Sequence, residues 1–200
     1  TLSTLEMSSV AQASAGANLP DPADSVLVEA ELVQATLAGD NRAFTDLVQL
    51  HSRRVFNYLL RMTRQPQDAE DLAQQTFIKA YRNLHRFDTS RPLISWLITI
   101  ARRTALNHFR GARAWDEMPE QIESGEASPA MQAEERDQVA DIWENARRRL
   151  SQREFEVMWL RYGENLSVAE TARVMGLTQT HVKILVFRAR QRLVVRGTQS

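Results

Sequence analysis

The sequence predicts an all-α protein: two small helical domains joined by a flexible acidic linker. Three observations carry that prediction. Apolar residues recur at three- and four-residue spacing along most of the chain, alternation of β-branched residues is scarce, and charge is segregated into blocks. The first two favour helices over strands, and the third marks where the helical parts begin and end.

Net charge is zero, with 25 basic and 25 acidic residues in 200. The balance hides a basic, acidic, basic order. From Glu31 to Arg113 there are thirteen Lys or Arg against seven Asp or Glu, and from Thr171 to Ser200 six basic residues and no acid. Between them, Asp116, Glu117, Glu120, Glu123, Glu126, Glu134, Glu135 and Asp137 face only Arg136. A charge block is commonly just a solvated face or tail, so motifs must decide what these blocks do. The absence of cysteine excludes a disulfide framework and a thiolate metal site, and fits a cytoplasmic protein. No uncharged apolar run is long enough for a membrane span, and Thr1 to Asp24 lacks the basic start and apolar centre of a secretory signal. These features divide the chain into a disordered leader (1–25), a first helical domain (26–113), the acidic linker (114–137) and a second helical domain (138–200).

Within the first domain, Val26 to Leu37 reads as a helix ended by Gly39. Asp40 is placed to cap a long second helix carrying Phe44, Leu47, Val48, His51, Val55, Tyr58, Leu59 and Met62. Pro66 marks the break, a third helix spans about Gln67 to Leu84, and a fourth begins near Pro92 and runs to about Arg110. Phe87 to Arg91 is the loop between them. Beyond the linker, Val139 to Leu150 is helical. Ser151 with Glu154 and Ser167 with Glu170 each have the Ser-x-x-Glu spacing of a reciprocal helix cap. Gly163 and Gly176 read as helix stops, and a last helix covers about Thr178 to Val195.

Ser167 to Leu193 therefore gives a short capped helix, a glycine turn and a longer basic helix, the helix-turn-helix pattern. Steps of about 100° per residue put Val182, Leu185, Val186, Ala189 and Leu193 on one face of the last helix. Thr180, Lys183, Ile184, Phe187 and Arg188 fall opposite. Apolar groups beside cations suit a major groove, where they meet thymine methyls, guanine edges and phosphates. The alternative is a helical hairpin with a second hydrophobic contact.

The segment Asp68-Ala-Glu-Asp-Leu-Ala-Gln-Gln-Thr-Phe-Ile-Lys-Ala-Tyr81, followed by Leu93-Ile-Ser-Trp-Leu-Ile-Thr-Ile-Ala-Arg-Arg-Thr-Ala-Leu-Asn107, closely resembles region two of extracytoplasmic-function sigma factors of the bacterial sigma-70 family. The C-terminal motif resembles their region four, and the likeness covers about Glu31 to Leu193 in the expected order. The resemblance implies an alternative sigma factor that binds core RNA polymerase, through the clamp coiled coil of the largest subunit and the flap region, and directs it to promoter DNA. It implies a polymerase-binding set of Asp68, Glu70, Asp71, Leu72, Gln75 and Phe77, although acids near a helix start are stabilising in any case. Gln75 stands where the family commonly has Glu. Leu72, Thr76 and the Lys79 stem form an apolar stripe that suits a helical partner.

For the minus-ten element the resemblance implies Phe87, Asp88 and Ser90 as readers of unstacked bases, with Arg102, Arg103 and Asn107 at the duplex edge. Trp96 shares helical spacing with Leu97 and Ile100 and reads as core, with a wall of the base pocket as the alternative. For the minus-thirty-five element it implies Thr180, His181, Lys183, Ile184, Phe187, Arg188 and Arg190. Ile184 and Leu185 replace the family's usual hydroxyl and basic residue, so the preferred sequence is not legible. The acidic linker matches the family segment that threads toward the polymerase cleft; its 24 residues reach about 80 Å at roughly 3.3 Å each. A solvated spacer is the alternative.

An enzyme is not expected. His51, His85, His108 and His181 have no metal-site spacing, and there is no glycine-rich phosphate loop or nucleophile elbow. No catalytic residue, metal, cofactor or small-molecule substrate is therefore assigned. An ordinary helix-turn-helix regulator is the rival function. An anti-sigma protein is a further partner that the resemblance implies, and exposed Ile184 and Phe187 suit one.

Overall fold

The computed structural model describes residues 22–111 and 142–194, which fall into two compact units. Among the described residues every regular element is helical. The N-terminal unit contains α1 (Pro22–Leu37), α2 (Asn41–Thr63), α3 (Pro66–Asn83), a single 3₁₀ turn (Leu84–Arg86) and α4 (Leu93–Gly111). The C-terminal unit contains α5 (142–149), α6 (Gln152–Met158) prolonged by a π turn (Trp159–Gly163), α7 (Val168–Met175) and α8 (Gln179–Val194). The acidic linker and the leader up to residue 21 lie outside the described residues.

Helix α1 begins at Pro22, four residues before the expected Val26. Apolar periodicity starts only at Val26, but proline suits a first helical turn, so the helix can begin at Pro22. At the other end Gly39 adopts φ +100°, and Asp40 caps α2 by accepting a 2.8 Å hydrogen bond from the Arg42 N–H. Arg64 ends α2 in the left-handed region at φ 61°. Pro66, read from the sequence as a break, is the first residue of α3, where its missing N–H costs nothing.

The N-terminal core is built on the apolar faces of all four helices: Val33 from α1, Leu47, Val55 and Leu59 from α2, Leu72 from α3, and Leu93, Leu97 and Ile98 from α4. Each such side chain contributes about 1.5–3 kcal/mol by leaving water. Helix α3 buries Ala69, Leu72, Thr76 and Ala80, spaced 3 and 4 apart, and three of these are small, which lets α2 and α4 approach closely. The buried Thr76 hydroxyl donates to Leu72 O at 2.7 Å, and Lys79 Nζ donates to Thr104 Oγ1 at 3.0 Å, tying α3 to α4.

In the C-terminal unit Trp143, Phe155 and Trp159 form an edge-to-face cluster, with centroids 5.9 Å apart for Trp143–Phe155 and 4.7 Å for Trp143–Trp159. Both expected capping boxes form, at Ser151/Glu154 and Ser167/Glu170. Gly176 ends α7 at φ +67°, as a left-handed stop requires. Gly163 ends its helix for a different reason. Its φ is not positive, but a Cβ there would lie 2.7 Å from Trp159 Cδ2, so the aromatic cluster itself demands glycine.

Candidate functional site

Helix α3 presents two faces, and the structure redistributes the expected polymerase-binding set between them. Leu72 is 1 % exposed and Thr76 is fully buried, so this stripe faces the core, and Leu72 is a support of the surface rather than a part of it. The reason is geometric: positions 69, 72, 76 and 80 share one side of the helix, and α2 and α4 already cover it. Glu70, Asp71 and Gln75 are exposed, and Asp68 and Phe77 are half-buried. The outer face also carries Gln74 and Ile78, the latter 45 % exposed. Ile78 is not marked by any motif in the sequence, but it lies three residues after Gln75 and seven after Asp71 and so shares their side of the helix. Asp68 Oδ2 stands 3.9 Å from His108 Nε2 on α4.

The loop between the 3₁₀ turn and α4 is built around one carboxylate. Asp88 Oδ1 accepts from the Ser90 N–H (3.1 Å) and the Ser90 hydroxyl (2.6 Å), while Oδ2 pairs with Arg91 Nε at 2.9 Å. The Arg91 N–H closes the turn on Asp88 O at 3.1 Å. Asp88 thus orders the loop from within, as Asp side chains do in turns. Ser90 Oγ spends its proton on Asp88 and turns acceptor lone pairs outward. Beside this loop, Phe87 and Trp96 pack with ring centroids 5.3 Å apart at 45°. Trp96 is half-buried, whereas Leu97 and Ile98 are within the core. Trp96 is therefore not part of the closed core: its helix position lies one step away from the Leu93, Leu97, Ala101 line, and its ring meets Phe87. Arg103 and Asn107 are exposed further along α4, and Arg102 is half-buried.

The N-terminal end of α4 is also held from α1. The Glu29 carboxylate faces the Leu93 backbone N–H and lies 3.4 Å from His51 Nε2. That approach is not aligned as a hydrogen bond, and both ring nitrogens of His51 are buried without a hydrogen-bond partner. Burial, followed by the nearby Arg54 charge, lowers the His51 pKa to about 4, so the ring is neutral at neutral pH. Burial raises the Glu29 pKa, opposed by the Leu93 N–H and by Arg54. No motif in the sequence marked Glu29; His51 appeared there only as a helix-face residue.

On α8 the two faces fall as expected. Val182, Leu185 and Ala189 are buried, with Val186 and Leu193 half-buried, while Thr180, His181, Lys183, Ile184, Phe187 and Arg188 are exposed. Phe187 is 62 % exposed and Ile184, one turn earlier on the same face, 43 %. Lys183 and Arg188 make no hydrogen bond or ion pair among the described residues, so both cations are available. Arg190 differs: its guanidinium hydrogen-bonds the Tyr162 hydroxyl and lies 5.5 Å from that ring's centroid. Arg192 Nη1 pairs with Glu154 Oε2 at 2.7 Å.

Residues 47–114 match the family described as Sigma-70 region 2, and residues 141–193 match Sigma-70, region 4. The chain is 36% identical to the ECF RNA polymerase sigma factor BldN of Streptomyces coelicolor, over 80% of this chain and 62% of that protein. It is 34% identical to the RNA polymerase sigma-H factor of Pseudomonas aeruginosa, over 80% of this chain and 89% of the relative. The fold is similar to that of the sigma factor RpoE of Bartonella quintana, solved with the anti-sigma factor NepR: TM-score 0.60, 21% identity, covering 78% of this chain and 98% of the other.

Proposed function

The chain belongs to the sigma-70 family as an alternative sigma factor of the extracytoplasmic-function kind, which directs transcription initiation; from that premise we propose how its surfaces divide the task. Core RNA polymerase docks on the outer face of α3, where Glu70, Asp71, Gln75 and Ile78 combine negative charge with an apolar contact. Phe87, Ser90 and Trp96 receive bases flipped from the minus-ten element, and Arg103 and Asn107 follow the duplex edge. A loop already ordered by Asp88 loses little freedom when it binds, which leaves more binding energy to offset unstacking, about a few kcal/mol per base. In the C-terminal unit, Thr180, His181, Lys183, Ile184, Phe187 and Arg188 on α8 meet the minus-thirty-five major groove.

The observation that carries this division is the order of the two matched regions on two separate helical units, the second ending in an exposed recognition face free of acids. The polymerase supplies the chemistry, and the chain acts in the cytoplasm as a specificity subunit with no catalytic residue, metal or cofactor of its own. No described helix is long and apolar enough to cross a membrane. Ile184 and Phe187 also suit a protein that covers α8 and keeps the factor silent, as an anti-sigma factor would. The division is tested by transcription from a genomic DNA pool with core polymerase plus this protein. New start sites sharing two upstream elements support it. A protein that leaves core polymerase unchanged, yet binds DNA alone as a helix-turn-helix regulator does, overturns it.

A further inference from the structure

The four cations of α8 fall into two pairs with different surroundings. Lys183 and Arg188 are exposed and unengaged, while Arg190 and Arg192 are both committed to the helix that precedes the helix-turn-helix. The anchor for Arg192 is a buried carboxylate. Glu154 Oε2 accepts from the Ser151 N–H at 2.9 Å, the Ser151 hydroxyl at 2.7 Å and Arg192 Nη1 at 2.7 Å, so one oxygen both caps α6 and holds the last turn of α8. The anchor for Arg190 is Tyr162, within the π turn. A third link joins the same end: Arg149 Nη1 donates to Leu193 O at 3.2 Å, satisfying a carbonyl that a helix terminus leaves open.

From this clustering we propose that Arg190 and Arg192 are positioning residues and not DNA contacts: with Glu154 and Tyr162 they set the tilt and axial position of α8, and so the register in which its reading face meets the promoter. The proposal rests on the assignment of α8 as the minus-thirty-five reader. The apolar face of a helix fixes its rotation, but hydrophobic contact is non-directional and resists sliding and tilting weakly. Charge-assisted hydrogen bonds at one end supply the missing direction. Arg192 and Thr180 are separated by about 18 Å along the axis, at roughly 1.5 Å per residue. Over that arm a tilt of about 10° moves the reading end by about 3 Å, more than a hydrogen bond tolerates. Because its charge is already neutralised by Glu154, Arg192 adds no phosphate contact and releases no counterion.

Glu154→Gln separates the fastener from the cap, because Gln at this capping-box position still accepts from Ser151 but carries no charge for Arg192. The full-length protein with core polymerase is measured on a promoter duplex selected from a genomic pool, and on single-base variants of its upstream element, at several salt concentrations. Circular dichroism confirms that each variant is folded at the assay temperature. Wild type should discriminate a mismatched pair by about five- to 150-fold. Glu154→Gln and Arg192→Gln should each reduce that ratio by about fivefold or more at two or more positions, leave the salt slope unchanged, and be no worse when combined. A salt slope lowered by about one in Arg192→Gln makes it a phosphate contact and overturns the proposal. Unchanged discrimination in Glu154→Gln does the same. Lys183→Ala and Arg188→Ala serve as the control: if neither alters slope or preference, the assignment of α8 itself fails, whereas a clamp failure alone leaves their effects in place.

Discussion

Gly163 backs directly onto the indole of Trp159, four residues earlier: a Cβ at Gly163 would sit 2.7 Å from Trp159 Cδ2 and 2.8 Å from Cε3. Neither ring nor backbone has room to yield, because Trp159 is 7 % exposed and packs edge-on against Trp143. Gly163→Ala should therefore lower the stability of the C-terminal unit by about 1–3 kcal/mol through overpacking. Urea unfolding followed by tryptophan fluorescence checks this, and a midpoint equal to wild type would show that the turn relaxes freely.

On α3, surface and core substitutions should separate. Asp71→Arg and Ile78→Ala should each weaken binding to core polymerase while leaving the melting temperature within a degree or two of wild type. Leu72→Ala, by contrast, should destabilise the N-terminal unit by about 2–5 kcal/mol because it opens a cavity between α2, α3 and α4. Titration against core polymerase beside thermal melts distinguishes the two classes; full affinity in Asp71→Arg would remove this face from the docking surface.

Trp96→Ala should leave promoter recruitment largely intact and impair strand opening, since it takes away one wall of the Phe87–Trp96 pair without touching the core. Asp88→Ala should act in the same direction by releasing Ser90 and Arg91 from their shared carboxylate. Permanganate reactivity of the minus-ten thymines reads this, and a wild-type bubble in both variants would place base capture elsewhere.

The buried His51 makes the N-terminal unit sensitive to acid. Its folded-state pKa of about 4 lies below the ordinary histidine value of 6.5, so between those two pH values the unfolded chain takes up a proton that the folded one refuses. Stability from His51 is full above pH 6.5 and is lost as pH falls toward about 4, a change of about 3 kcal/mol. Glu29 works in the opposite sense, because its raised pKa lets the folded state bind a proton first as pH falls. Comparing wild type with His51→Leu isolates the histidine: the stability difference between them should shift by about that amount across the window. A pH-independent difference would mean that His51 takes up its proton as readily in the folded state as in the unfolded chain.

Lys183 and Arg188 should fail in different ways if one meets phosphate and the other a base. Loss of a guanine-directed Arg188 should cost about 1–3 kcal/mol and relax preference at one upstream position. Loss of a phosphate-directed Lys183 should weaken all sequences alike and lower the salt slope by about one. Binding of matched and single-substituted promoters at several salt concentrations tells them apart, and wild-type behaviour in both variants would move the DNA-binding face off this side of α8.

By itself the sequence determined what is local or periodic. The helices, both capping boxes, the left-handed stop at Gly176 and the two faces of α8 follow from spacing and from side chains that bond to their own turn. The resemblance in region two and the acid-free last helix supplied the family, which the comparisons show. Only the tertiary structure decided questions that depend on which neighbour arrives. Leu72 and Ile78 are both apolar residues on one amphipathic helix, and only the packing of α2 and α4 makes the first core and the second surface. Trp96 and Leu97 differ by a single 100° step, and that step takes Trp96 out of the closed core and against Phe87. Arg188 and Arg192 are one turn apart and equally basic in sequence, yet a carboxylate 38 residues earlier claims one and leaves the other free. Such pairings are non-local, and helical periodicity reports only the angle at which a side chain leaves its own axis, not what stands at the end of it.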